Sequence, residues 1–214
     1  TRAERARGPL VRMPKKPHED ARFTDLVCGL SSRLAVAPYE RIPDEVGAAL
    51  EAIREFFGIE QCSLFRFVVE SRAVVLVQRA VVEGVPPIPA EVDYGRAFPL
   101  TYRTVVEELR PYILESLDDL PPGEAVQRDS ALAMGLGAFV ALPIVMGGVA
   151  RYSLGLGSHQ RSYRWPRDRI RHMQALGEII AGAVERHEDE ERVRRSEAQL
   201  AQAQAVTGIG SWSR

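Results

Sequence analysis

Apolar residues at helical spacing predict two amphipathic helices near the start of the chain. In the first helix the apolar positions i, i+3, i+4, i+7 and i+11 are Phe23, Leu26, Val27, Leu30 and Leu34. In the second helix the buried stripe is Val46, Ala49, Leu50, Ile53 and Phe57. Pro38 ends the first helix, Pro43 suits the first turn of the second, and Gly58 stops it.

The apolar spacing then changes to that of β-strands. Segments 61–69 and 72–81 are rich in β-branched residues and predict an antiparallel hairpin. The segment 83–100 is rich in proline and glycine, so we expect an irregular loop of the kind that often binds ligands. A short helix at 102–109 and a strand at 111–116 follow.

The strongest hairpin signal comes later in the chain. A helix predicted at 124–134 ends at Gly135, and two apolar strands, 137–145 and 149–157, flank the turn Met-Gly-Gly. Consecutive hairpins rather than alternating strands and helices indicate an α+β fold. We therefore expect a central antiparallel sheet of about five to six strands, flanked by helices.

The end of the chain predicts one long helix, from Pro166 to about Val206, which is about 60 Å at about 1.5 Å per residue. Its apolar positions, from the part next to the domain to the far end, are Ile170, Met173, Leu176, Ile180, Val184, Val193 and Leu200. Such a stripe is readily buried against its own copy, so we expect a parallel homodimer through the first and last helices. The alternative is a helix that packs on its own domain and frays at its end.

Charged residues dominate the middle of this helix. Ion pairs between Glu and Arg in the favourable i, i+4 order are expected to stabilise the helix where its surface faces solvent. The three pairs are Glu188–Arg192, Glu190–Arg194 and Glu191–Arg195. His187 precedes Glu188, as in a phospho-acceptor motif, but the acidic residues that follow favour a solvated face instead.

Composition narrows the function classes. The 214 residues carry a net charge of -1, so no overall basic field indicates nucleic-acid binding. The longest apolar run, 136–150, is broken by Pro143, Gly147 and Gly148, so no insertion into a membrane is expected. With no signal peptide evident, we expect a cytoplasmic protein whose residues 1–19 form a flexible arm or linker.

The sequence gives no support for catalysis by this fragment. The four histidines form no metal-binding spacing, and no phosphate-binding loop or nucleophile elbow is present. Asp118 and Asp119 are adjacent, but they lie in a predicted turn. Cys28 and Cys62 are expected to be buried free thiols.

The order of these elements resembles that of a GAF domain over about residues 21–187. The most telling segment is Ala138–Ser158, which looks like the paired central strands of that family. The stretches GVPPIP and SLDDLPP, with Trp165-Pro166, look like a bacterial subgroup that precedes PAS domains in sensor kinases. The last stretch, which ends in GIGSW, is similar to the entry of a PAS domain.

This resemblance implies a division of the chain into an arm (1–19), a GAF-like sensor domain (20–187), a coiled-coil-like helical linker (188–206) and the truncated start of a PAS domain (207–214). It implies the input domain of a cytoplasmic bacterial two-component sensor histidine kinase, which relays a small-molecule or partner signal through a dimeric helix to PAS and output domains. The alternatives are a ligand-free structural dimerisation module, and the input domain of a diguanylate cyclase or a transcriptional regulator.

Known ligands of the family are not indicated. No cysteine follows Cys62 to hold a bilin, no cyclic-nucleotide signature is found, and the two cysteines do not fit a methionine-sulfoxide-reducing member. Haem is not expected either, and His159 is its only loosely placed candidate ligand.

A small pocket between the sheet and the short helices remains as a hypothesis, with simple core packing as the alternative. The candidate lining residues are Phe65, Phe67, Val77, Phe98, Tyr102, Val106, Leu132, Phe139, Ala141 and Tyr152. Members of the family usually have glycine in place of Tyr152, so Tyr152→Gly is expected to loosen packing or enlarge a cavity.

Overall fold

The computed structural model describes residues 17–160 and 162–207, and six strands lie among them in one antiparallel sheet of order β3-β2-β1-β6-β5-β4. The strands are β1 Gln61–Val68, β2 Ala73–Val81, β3 Glu91–Val92, β4 Tyr112–Leu114, β5 Ala138–Met146 and β6 Val149–Ser158. Both predicted hairpins, β1–β2 and β5–β6, are present. The predicted α+β class with a central antiparallel sheet is confirmed.

The helices flank this sheet and include the predicted long helix. They are α1 Pro17–Val36, α2 Ile42–Phe57, α3 Tyr94–Ala97, α4 Pro99–Tyr102, α5 Ala125–Ala133 and α6 Arg167–Thr207. Pro43 lies in the first turn of α2, and Gly58 ends it in a left-handed conformation with φ 60°. Both features agree with the sequence prediction, because glycine adopts positive φ without a steric cost.

Two hydrophobic layers cover the two faces of the sheet. One layer packs α1, α2 and α6 against the sheet, and the other packs α3, α4, α5 and the preceding loops against the opposite face. Except at the register shifts next to Leu64 and Ile144, side chains alternate between these faces along the strands. Tyr152 and Leu154 face the long helices, while Phe139 and Ala141 face the short ones. We call these faces the long-helix face and the short-helix face.

The segment 83–100 is more regular than predicted. It contains β3, which pairs with β2 through Val74 opposite Val92, and the short helix α3. The amide of Leu76 also donates to the carbonyl of Ala90 at 2.9 Å. The prediction of an irregular loop was therefore wrong for residues 91–97, because edge pairing and a short helix satisfy their backbone groups.

Some predictions concern the ends of the chain or the cysteines. Residues 1–16 of the predicted arm (1–19) lie outside the described residues. Residues 208–214 of the predicted PAS-like start (207–214) lie outside them as well. Cys62 is buried as expected, but Cys28 is exposed on α1, so burial was predicted wrongly for that thiol. Within the described part of the chain, no helix has both the length and the apolar character that crossing a membrane requires.

Candidate functional site

A cavity of about 60 Å³ lies on the short-helix face of the sheet. Strands β1, β5 and β6 form its floor, and Tyr94 of α3, Phe98 and Met134 at the end of α5 lie over it. Its lining includes Gln61, Ser63, Phe65, Val74, Ile88, Val92, Tyr94, Phe98, Met134, Leu136, Phe139, Ala141, Ser153, Gly155 and Gly157. An apolar enclosure with a few polar groups is the usual composition of a small-molecule site.

Strand alternation explains which residues reach the cavity. Residues 61, 63 and 65 of β1 and residues 153, 155 and 157 of β6 have the same parity, so they share the short-helix face. Glycine at 157 is needed for close packing. A Cβ there would lie 2.5 Å from Cδ2 of Leu136 and 2.6 Å from Nε2 of Gln61.

The lining carries polar groups but no ionic ones. None of its described residues is Asp, Glu, Lys or Arg. The Gln61 side chain is buried at 5% exposure, and its Oε1 has no hydrogen-bond partner among the described residues. Burial raises the pKa of Tyr94, and Tyr112 adds to this rise, so the Tyr94 hydroxyl stays protonated at neutral pH.

A buried amide network supports the short helices over the cavity. Gln127 is fully buried on α5; its Nε2 donates to Oη of Tyr112 at 2.9 Å, and its Oε1 accepts from the amide of Thr101 at 2.9 Å. These bonds join α5 to β4 and α4. Burial raises the pKa of Tyr112 to about 12. Because Oε1 and Nε2 of Gln127 are both hydrogen-bonded, these bonds offset the cost of burying the amide and hold α5 against β4 and α4.

The structure places four of the predicted pocket residues on the cavity wall: Phe65, Phe98, Phe139 and Ala141. Phe67 and Val106 pack in the same hydrophobic layer, and Tyr102 is buried with its ring against Tyr94, but none of the three lines the cavity. For these three residues the simple core interpretation describes what is observed.

The remaining three pocket predictions are wrong in placement. Val77 and Tyr152 pack on the long-helix face, because their parity is opposite to that of the cavity-lining Val74 and Ser153. Leu132 is 59% exposed on the outer side of α5. Tyr152→Gly would therefore leave a void among the long helices and would not enlarge the cavity.

Several lining residues were missed by the sequence analysis. Gln61 and Ser63 alternate with Phe65, so the same strand period could have indicated them. Ile88 and Met134 gave no such signal, since they reach the cavity from a loop and from the end of a helix. Leu136 lines both the cavity and a second pocket of about 360 Å³ beside His159. His159, the haem candidate, thus lies outside the cavity.

The long helix α6 crosses the opposite face of the sheet. Five residues that were assigned to a dimer contact are buried in the domain's own core: Ile170, Met173, Leu176, Ile180 and Val184. The long-helix face of the sheet covers this stripe, as expected for the part of the helix next to the domain, so these five side chains are not available for a dimer contact. A Cβ on Gly177 would lie 3.1 Å from Cδ1 of Ile144, so α6 sits close to β5. Val193 and Leu200 remain 56% and 60% exposed.

Charged contacts attach α6 to the domain where the helix leaves it. Nη1 of Arg66 lies 2.7 Å and 2.8 Å from the two carboxylate oxygens of Glu188. Arg194 lies 3.3 Å from Glu40. Of the three predicted pairs within the helix, Glu191–Arg195 is present, whereas Glu188 and Arg194 pair with residues outside α6. Sequence spacing alone could not show these competing partners.

His187 belongs to the same attachment. Its Nδ1 lies 3.0 Å from the carbonyl oxygen of Tyr39, and its ring stacks on the Tyr39 ring. Arg194 lies over the Tyr39 ring at 4.1 Å. His187 is therefore half-buried against the domain rather than on a fully solvated face. We call Tyr39, Glu40, His187 and Arg194 the helix clamp.

Comparison with known families identifies the fold. The sequence model of the GAF domain matches residues 44–184, which is more than half of the 214-residue chain. The chain belongs to the GAF domain family. No curated protein matches it in sequence.

Solved structures share the fold at low sequence identity. The phycoerythrobilin-bound GAF domain of a cyanobacterial phytochrome has a TM-score of 0.64 and 13% identity, covering 80% of this chain and 99% of that one. The free methionine-R-sulfoxide reductase of Neisseria meningitidis, in complex with its substrate, has a TM-score of 0.62 and 13% identity. The match covers 85% of this chain and 98% of that one. The structure of residues 122 to 287 of a methyl-accepting chemotaxis protein has a TM-score of 0.57 and 13% identity. The match covers 77% of this chain and 98% of that one.

Proposed function

We propose that this chain is a sensory input domain that binds a small molecule in the cavity on the short-helix face. The observation that carries the proposal is an apolar cavity with an unpaired buried amide oxygen, that of Gln61, in a fold shared with phytochromes and a chemotaxis protein. A buried polar group without a partner is costly, so a ligand that supplies the missing hydrogen bond stabilises the domain.

The size of the cavity argues for a small ligand. Its 60 Å³ exceeds the roughly 10–15 Å³ that a water molecule needs, but it is below the roughly 150 Å³ of a benzene-binding cavity. Sites for drug-sized ligands measure about 300–1,000 Å³. A bilin therefore does not fit this cavity as it stands, and no cysteine lines it to hold one covalently.

The sheet offers a direct path from the cavity to α6. Ser153 and Gly155 line the cavity, and Leu154 between them packs on the long-helix face beside Gly177 of α6. A ligand that shifts β6 changes the surface on which α6 rests. The relay requires that the domain have two states, which differ in the position of α6, and that the ligand bind one state more tightly than the other.

We further propose that α6 acts through a second copy of the chain. Residues 192–204 of the helix are exposed, and Val193 and Leu200 are seven positions apart within that stretch. A helix without packing partners is marginally stable, and pairing of two copies would bury these residues. In this proposal, α6 passes the signal to a PAS domain and the output domain of a histidine kinase. The alternative is the output domain of a diguanylate cyclase or of a transcriptional regulator.

A ligand-free dimerisation module is the second candidate. The dense aromatic packing around the cavity favours it, since Phe98 and Tyr112 both contact the Phe139 ring, with centroids 6.0 Å and 5.5 Å away. In that case the cavity is a packing defect, and only the exposed end of α6 has a function. A reductase role has less support, because Cys62 faces the long helices and Cys28 is exposed.

A cavity-filling variant distinguishes the two candidates. Ala141→Leu places extra carbon atoms in the cavity, whereas Ala133→Leu adds the same atoms on the exposed side of α5. Ligand-observed NMR with a panel of small neutral compounds should detect binders that Ala141→Leu rejects and Ala133→Leu retains. Hydrogen exchange along residues 188–200 should change on binding. A panel without binders, or one unaffected by Ala141→Leu, contradicts the sensory proposal.

A further inference from the structure

The Gln61 carboxamide is the chemically distinctive group of the cavity. It lies at the start of β1 and packs closely against Gly157, which the Leu136 side chain also approaches. Its exposure is 5%, and Oε1 has no partner among the described residues. Most buried polar atoms in proteins are paired, so the unpaired amide oxygen of a residue that lines the cavity marks a position for a donor, provided that the amide turns toward it.

The rest of the wall restricts the ligand's charge. No described lining residue is ionic, and the lining residues with hydroxyl groups are Tyr94, Ser63 and Ser153, of which the two serines are each 3% exposed. Burying an ion without a counter-charge is strongly unfavourable, so an anion or a cation is rejected here. Phe65 and Tyr94 add aromatic surface, which favours a flat apolar body.

Resting on the proposed sensory function, we infer that the cavity selects a small uncharged ring compound whose N–H or O–H donates a hydrogen bond to Oε1 of Gln61. The terminal torsion of a glutamine side chain has a broad energy profile, so the amide can turn its oxygen toward the donor. Met134 on the wall is unbranched and adaptable, which allows the cavity to widen around a ring.

Pyrrole and furan form a matched pair of probes for this inference. Both are neutral five-membered rings of similar size, but pyrrole has an N–H donor and furan does not. Protein-observed NMR titration should give a dissociation constant about tenfold lower for pyrrole, the effect of one hydrogen bond. Acetate, which is small and anionic, should leave the cavity resonances unchanged.

Two variants locate the effect. Gln61→Met removes the amide at nearly constant volume and should bring pyrrole and furan to equal affinity. Gln174→Met is the matched control, because Gln174 donates to the carbonyl of Pro143 away from the cavity and should keep the pyrrole preference. The comparison of the two rings in the unmodified protein remains decisive even where a variant fails to fold.

The outcomes separate this inference from the function on which it rests. Equal binding of pyrrole and furan to the unmodified protein, or a preference that survives Gln61→Met, overturns the role of Gln61 and leaves the cavity a ligand site. Binding of acetate in the cavity overturns the uncharged class. If neither ring perturbs the cavity resonances, the inference fails, and the sensory function fails with it only when the panel of small neutral compounds also yields no binder.

Discussion

The imidazole ring of His187 stacks on the phenol ring of Tyr39, with centroids 4.4 Å apart and an angle of 22° between the planes. Tyr39 begins the 3-10 turn Tyr39–Arg41 between α1 and α2, and His187 lies on α6 at the position where the buried stripe gives way to exposed residues. The contact therefore couples the exit of the long helix to the junction of the first two helices.

Removal of the His187 ring should loosen this exit. In His187→Ala the stacking and the contact with the Tyr39 carbonyl are lost, so the free energy of unfolding should fall by about 1 kcal/mol. Hydrogen exchange should accelerate at residues 186–195. His172→Ala is the control, because His172 contacts Phe23 near the start of α6. Equal acceleration at 186–195 in both variants would contradict a specific role for the helix clamp.

The glycine at 157 should be intolerant of a methyl group. Its Cβ would approach Leu136 and Gln61 within 3 Å, so Gly157→Ala should destabilise the domain by about 1–3 kcal/mol and perturb the cavity. Gly182 on α6 has no atom within 4 Å of its Cβ position. Gly182→Ala should therefore raise stability by about 0.5–1 kcal/mol. Chemical denaturation measures both, and similar stability of the two variants would show that the packing at Gly157 is not as close as described.

Stability should fall steeply at alkaline pH. Burial raises the pKa of Tyr152 from 10.0 to about 12, with further contributions from Glu188 and Glu185. Above pH 10 the unfolded chain releases this proton while the folded chain keeps it, so stability that is complete below pH 10 is lost as pH rises toward 12. Melting temperatures across this range should decline less steeply in Tyr152→Phe. Parallel declines in the two proteins would remove this explanation.

Two aspartate substitutions on α6 should have different consequences. Ile180 is fully buried in the core, so Ile180→Asp should prevent folding of the single chain. Leu200 is 60% exposed, so Leu200→Asp should leave the melting temperature of a dilute sample nearly unchanged and weaken self-association. Sedimentation velocity and circular dichroism report these effects. Unchanged association of a folded Leu200→Asp dimer would exclude the exposed stripe as the contact.

The periodic elements of this fold could be predicted from the sequence. The long helix was expected at 166–206 and is observed at Arg167–Thr207, because apolar spacing and charge patterning extend over its whole length. The short elements β3 and α3 could not be predicted, since only pairing with Val74 and Val75 of β2 makes residues 91 and 92 a strand. Tertiary contacts, rather than local preference, determine such elements.

The candidate site was less predictable than the fold. Aromatic residues such as Phe65 and Phe139 were placed correctly because the strand pattern marks apolar positions. The wrong placements of Val77 and Tyr152 followed from choosing the wrong side of a strand whose residues are apolar on both faces. For such a strand the alternation is visible, but the sequence does not say which layer covers which side.

Native mass spectrometry of the purified 214-residue protein tests the central claim most directly. A ligand-sensing dimer predicts a species of twice the chain mass of 23.8 kDa, together with a stoichiometric small-molecule mass that Ala141→Leu abolishes. A bare monomer at micromolar concentration, which gains no mass when small neutral ring compounds are added, would contradict both the sensing cavity and the paired helix.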